Sequence, residues 1–154
     1  MKRLLSKSQY VRGMQCEKAL WLYRNNRELM SEPTPADKIV FDQGTAFGVL
    51  ARDRFPGGVI IRVPHTDPDS ALLQTAVAIN SGATVIYEAA FVHEDVLVRA
   101  DIMVKRGDLW DLYEVKGTTK PDADHFLDAA VQRWVVAGSG IIVGDVYIVH
   151  ADPS

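Results

Sequence analysis

Three acids spaced thirteen residues apart, Glu88, Asp101 and Glu114, and a lysine two residues beyond the last, Lys116, are the side chains with the most chemical potential. The segments that carry them, residues 84–92, 96–104 and 109–116, are rich in Val, Ile, Leu, Tyr and Phe and read as strands. Glu94 and Asp95 separate the first two segments, and Gly107 and Asp108 the last two. Glycine can take the positive φ that the first position of a two-residue hairpin turn demands. With two-residue loops, partner numbers sum to 189 across the first hairpin and 215 across the second, so Glu88 faces Asp101 and Asp101 faces Glu114. Lys116 then joins Glu114 on the same side of its strand. Three carboxylates in a row, roughly 5 Å apart, repel one another. A divalent cation would relieve that repulsion, and oxygen-only ligands suit Mg²⁺ or Mn²⁺. The plainer alternative is an amphipathic meander whose three acids face solvent.

The 154 residues, 47% of them apolar, suffice for one globular domain with a core. No stretch approaches the ~20 apolar residues of a membrane span, so no membrane association is expected. The apolar run after Met1, Lys2 and Arg3 breaks at once on Ser6 to Gln9, too short for a secretory signal. The single Cys16 cannot form an internal disulfide, fits a reducing cytoplasmic setting, and reads as a packed small apolar residue rather than a nucleophile. Residues 1–27 carry seven Lys or Arg against Glu17 alone, a charge of +6 that leaves −9 for the rest of a chain with net charge −3. Such asymmetry suggests a basic surface beside an acidic site, with Lys7, Arg12 and Lys18 as candidate nucleic-acid contacts. A solvated helical face accounts for the charge alone equally well.

The elements that must position these residues follow from pattern. Ser6 with Gln9 makes a capping box for an N-terminal helical segment that includes the apolar cluster Leu20 to Tyr23. Residues 37–55 read as a helix with Val40, Phe47, Leu50 and Ala51 on one stripe, and Gly44 and Gly48 as a notch for close backbone approach. Residues 59–63 form a short strand, 69–80 a helix, 122–137 a helix, and 141–150 a last strand interrupted at Gly144 and Asp145. The expected class is α/β, and the core order is helix, three-strand meander, helix, strand.

Asp101 followed by Glu114-Val115-Lys116 on the next strand resembles the Asp…Glu-X-Lys signature of the PD-(D/E)XK nuclease superfamily. Ser6-Lys7-Ser8-Gln9-Tyr10, Gln15-Cys16-Glu17-Lys18-Ala19-Leu20-Trp21 and Gly44-Thr45-Ala46-Phe47-Gly48 are similar to the opening of RecB-like members, and Ile86 to Phe91 to the strand before the Asp. The resemblance covers most of the chain. It implies a restriction-endonuclease-like core, α-β-β-β-α-β, with a mixed sheet flanked by helices and a helical N-terminal segment. One such domain over 1–154 is expected, as the N-terminal part of a longer protein with possible further domains.

The resemblance also implies roles. Asp101 and Glu114 would hold Mg²⁺ or Mn²⁺, Glu88 would complete the shell directly or through water, and the carbonyl of Val115 would join it. Lys116 would orient or deprotonate the attacking water, or neutralise the scissile phosphate. Gln132 matches the Gln of a Gln-X-X-X-Tyr motif, although the last position here is Val136. The position four residues after Gly44, a metal-binding His in many RecB-like nucleases, is Gly48. Some of those nucleases carry an iron–sulfur cluster on one early and three late Cys; Cys16 stands alone, so no cluster is expected in this chain. The implied activity is a divalent-metal-dependent nuclease acting on nucleic acid, with DNA favoured over RNA. A catalytically weak nucleic-acid-binding or scaffolding module that keeps the fold is the alternative.

Overall fold

The computed structural model describes residues 3–154, so Lys2 of the basic run lies outside the described residues. A two-residue strand β1 (Leu5–Ser6) leads into α1 (Lys7–Gln15) and α2 (Glu17–Asn25). After a 3-10 turn come α3 (Pro35–Ala51), a second 3-10 turn (Arg52–Arg54), β2 (Val59–Ile60) and α4 (Pro68–Asn80). The meander β3 (Val85–His93), β4 (Val96–Arg106) and β5 (Leu109–Val115) follows, then α5 (Ala123–Gly138) and β6 (Val143–Val149). The chain is thus α/β, with a mixed six-stranded sheet in the order β2-β3-β4-β5-β6 and β1 beside β4. The meander is antiparallel, whereas β2 on β3, β6 on β5 and β1 on β4 are parallel. Among the described residues no helix is long and apolar enough to cross a membrane.

Local chemistry explains where the elements start. The capping box of Ser6 and Gln9 opens α1, a second one of Thr34 and Asp37 opens α3, and Asp122 caps α5. Both hairpin loops have two residues. Glu94 (φ 48°) and Asp95 (φ 63°) turn the first, and Gly107 (φ 62°) occupies the first turn position of the second. Ladder pairs such as Ile86 with Met103 and Ile102 with Tyr113 are those the loop lengths imply. The main core lies between the sheet and α1, α4 and α5, around Ile86, Phe91, Val98, Met103, Leu112, Val131 and Val135. A smaller cluster of Ala51, Tyr87 and Ile102 with Phe55 and Tyr113 forms on the other face.

Four details depart from the sequence expectations. The last strand runs through Gly144 and Asp145 as a bulge opposite Asp111, because the register steps from Trp110–Val143 to Leu112–Val146. The stripe on α3 is largely uncovered: Val40 is 64% and Leu50 60% exposed, and only Ala51 is buried. Periodicity reveals an apolar stripe but not what covers it, and here the sheet meets only the C-terminal end of the helix. Within the notch, Gly44 does approach another backbone, its Cα lying 3.4 Å from where a Cβ on Gly117 would stand, while a Cβ at Gly48 would meet open space. Cys16, expected to pack inside, is exposed at the junction of α1 and α2.

The bulge has its own clamp. Asp111 accepts from Arg106 Nε (2.7 Å) and Nη2 (2.9 Å) and from the backbone N–H of Asp145 (2.8 Å). The Arg106 hydrogen bonds hold its carboxyl below the usual carboxylate range. Asp111→Ala strands a backbone donor and is expected to cost about 1–3 kcal/mol, read as a lower urea midpoint with an unchanged slope.

Candidate active site

The strands bring Asp101 and Glu114 together, and α1 and α5 close over them. Glu114 is only 2% exposed although it is ionisable. Its Oε1 accepts a 2.7 Å hydrogen bond from Lys7 Nζ and lies 3.2 Å from Lys116 Nζ. Its Oε2 is buried with no hydrogen-bond partner. Gln132, wholly buried on α5, accepts from Lys7 Nζ through Oε1 at 3.3 Å, while its Nε2 is also without a partner. Lys116 extends from the end of β5 to bond Asp128 on α5.

Asp101 marks where the β4–β5 ladder ends. Its Oδ2 takes the backbone N–H of Val115 at 2.7 Å, so a side chain replaces the next ladder acceptor. Desolvation and the charge of Glu114 push its carboxyl up to about 7, against the pull of Lys7 and the Val115 N–H, and Glu88 adds a smaller upward push. Lys116 goes the other way from a simple buried amine. Desolvation lowers its affinity for a proton, but the hydrogen bond to Asp128 and the charges of Glu114 and Asp128 outweigh that, so its pKa is raised.

Glu88 corrects the expectation of three converging carboxylates. Ladder pairs flank it on both sides, Tyr87 with Ile102 and Ala89 with Ala100, so the count opposite Asp101 holds. The side-chain alternation does not. Ile86 and Phe91, and likewise Val98 and Met103, share the main core, so both strands shift by one residue around Glu88 and Asp101. Glu88 absorbs the shift with a left-handed φ of 61°, a conformation that costs a non-glycine residue about 1–3 kcal/mol. Its carboxylate pairs with Arg52 Nη2 at 3.1 Å instead. Among the described residues no group of three or more His, Cys, Asp or Glu side chains is assembled for a metal. Two carboxylates, Asp101 and Glu114, remain.

Lys7 is the second correction. It lies inside the site on Glu114 and Gln132 rather than on an open basic face. Arg12 and Lys18 are exposed, with the Arg12 guanidinium 4.8 Å from the centre of the Tyr23 ring. Sequence reasoning also missed Asp128 and Arg52. For Asp128 a signal existed: with Gln132, Val135 and Val136 it forms an i, i+4, i+7, i+8 stripe, which puts an acid on the core-facing side of α5. For Lys7 and Arg52 there is none, because their partners are 107 and 36 residues away. No protein-family model matches the chain, and no curated protein matches it. The chemistry of the site therefore carries the functional reading.

Proposed function

We propose that this chain is a divalent-metal-dependent phosphodiester hydrolase of the PD-(D/E)XK type, with a RecB-like, restriction-endonuclease-like core, acting on nucleic acid and on DNA in the first place. One observation carries the reading: a buried glutamate, Glu114, has one oxygen bridged by two lysines and the other unpartnered, next to an aspartate that its surroundings keep protonated up to about pH 7. An unmet buried acceptor costs about 1–3 kcal/mol, and such an atom is open to a bound ion or an ordered water. Oxygen donors from Asp101 and Glu114 fit Mg²⁺ or Mn²⁺. Such an ion supplies Lewis acidity towards a phosphoryl oxygen and a more acidic water.

The chain's own residues do the remainder. Lys116, held as an ammonium by Asp128 and Glu114, neutralises the charge that grows on a scissile phosphate and orients the attacking water rather than taking its proton. Lys7, whose ammonium also donates to Gln132 Oε1 on α5, holds Glu114 from the α1 side. Glu88 keeps negative charge near Asp101 while paired to Arg52. The element order helix, three-strand meander, helix, strand supports the fold assignment.

A second reading, a nucleic-acid-binding or scaffolding module without robust catalysis, has a specific observation in its favour. Lys7 already sets a cation 2.7 Å from Glu114, and Arg52 answers Glu88, so the acids are balanced within the chain. Titration with Mg²⁺ and Mn²⁺ separates the two. Under the nuclease reading, metal at a hundredfold excess over Kd stabilises by about 2.7 kcal/mol, which is roughly 5–10 °C in Tm for a chain of this size, and generic DNA is cut. No stabilisation, together with no cleavage of any DNA or RNA, leaves the second reading standing.

A further inference from the structure

We infer that the α1–α2 face carries a separate phosphate-binding subsite for single-stranded nucleic acid, an inference that rests on the nucleic-acid reading above for the identity of its ligand. A concavity of about 210 Å³ opens there, lined by Arg3, Leu4, Gln9, Tyr23, Arg24 and Arg27. Arg12 and Arg27 bring their guanidiniums to 4.8 and 4.6 Å from the centre of the Tyr23 ring. Arg27 Nη2 also donates to the Tyr23 hydroxyl at 2.6 Å.

What sets the cluster apart is the density of arginine: Arg3, Arg24 and Arg27 line one small hollow with Arg12 on the adjoining ring, and among the described residues none of the four sits within ion-pair distance of a carboxylate. Glu28, the acid next to Arg27, accepts instead from Asn26 at 2.9 Å. Four like charges gathered on one small face repel, and that repulsion is repaid when an anion arrives. The ring contacts hold two of the guanidiniums in place beforehand, which lowers the entropy lost on binding. Guanidinium forks match phosphate oxygens two at a time, whereas a lysine cluster would supply only point charges.

The shape selects the strand. A small concavity beside an aromatic ring admits one phosphate with its base against the Tyr23–Arg layer, the stacking platform that single strands use. In a duplex the bases are paired and stacked on one another, so none can turn its face to that layer. The subsite is tied to the candidate active site through α1: Gln9 lines the hollow, caps the helix through the Ser6 N–H, and lies two residues from Lys7.

The test is fluorescence anisotropy of a labelled single-stranded oligonucleotide in EDTA, where no cleavage intervenes. Arg24→Gln/Arg27→Gln should weaken binding roughly 10- to 100-fold and flatten the slope of log K against log salt by ~0.7, the loss of one phosphate contact. Lys38→Gln/Lys120→Gln removes the same charge from exposed positions elsewhere and should leave affinity near wild type. Oligonucleotides with and without a 5′-phosphate identify the source. Weakening confined to the phosphorylated strand means a terminal phosphate is held, and equal weakening of both means an internal one. An unchanged affinity and slope, or equal weakening in the lysine control, overturns the subsite. Cleavage in Mg²⁺ is scored separately, so loss of the subsite and loss of the nuclease reading give different results.

Discussion

Asp101→Asn is expected to abolish metal-dependent cleavage and, without metal, to leave the protein more stable than wild type at pH 8. The carboxyl of Asp101 titrates near 3.8 when unperturbed and at about 7 in the fold, pushed up first by desolvation and then by Glu114. Its neutral form is therefore the one the fold prefers. The associated stability is fully present below pH ~4 and is lost as pH rises through about 7, because the folded state binds the extra proton across that window. At ~1.4 kcal/mol for each tenfold difference in proton affinity between the folded and unfolded carboxyl, the loss amounts to a few kcal/mol by pH 8. An amide keeps the shape and can still accept the Val115 N–H, but has no proton to lose. Urea denaturation in EDTA at pH 5 and pH 8 should thus show wild type falling towards alkaline pH and the variant staying level over this step. Parallel curves would mean that Asp101 is not a strained carboxyl. Metal reverses the ranking: a cation needs the charged form, so Mg²⁺ should raise the wild-type Tm more at pH 8 than at pH 6 and raise that of the variant little at either.

Lys116→Ala separates the ligand from the neighbour. Its ammonium touches Glu114 and Asp128 without being able to ligate a metal. Cleavage should fall by about 10²–10³, the usual loss when a charge-stabilising donor is removed. Metal-induced stabilisation should persist and rise, since one cation competing for Glu114 Oε1 is gone. The metal-free variant should lose about 1–3 kcal/mol, because Asp128 is left partly buried without its partner. The two variants belong side by side in Mg²⁺ and Mn²⁺. If both cut as wild type does, the carboxylates and the lysine have no part in chemistry and the nuclease reading fails.

The ladder was legible in the sequence because two independent local signals agreed there. The β-rich segments set the strands, and two-residue turns leave a single register that keeps the apolar residues together. What escaped is tertiary in origin. A strict period of two carried Glu88 to the face of Asp101, but the alternation slips there, and the side chain is taken up by Arg52 from the turn after α3. Lys7 looked like one more charge in a basic run, since nothing local reveals that its helix docks on α5 beside Glu114. The stripe on α3 had the right period, yet a period contains no information about a covering surface. Asp128 was readable in principle, as the acid that does not suit its place on a buried helical stripe.

The ion pair between Lys7 and Glu114 spans 107 residues, which sets an order of events as the chain is made. Synthesis proceeds at ~5–20 residues per second, so the lysine waits roughly 5–20 s before its glutamate exists. The meander, whose turns have two residues, closes on microsecond scales once it has emerged. The N-terminal arm, whose described residues join the sheet at Leu5 and Ser6 of β1 alone, can dock only after that. The cluster of Lys7, Glu114 and Gln132 therefore cannot close until α5 has emerged, after the meander that bears its carboxylate.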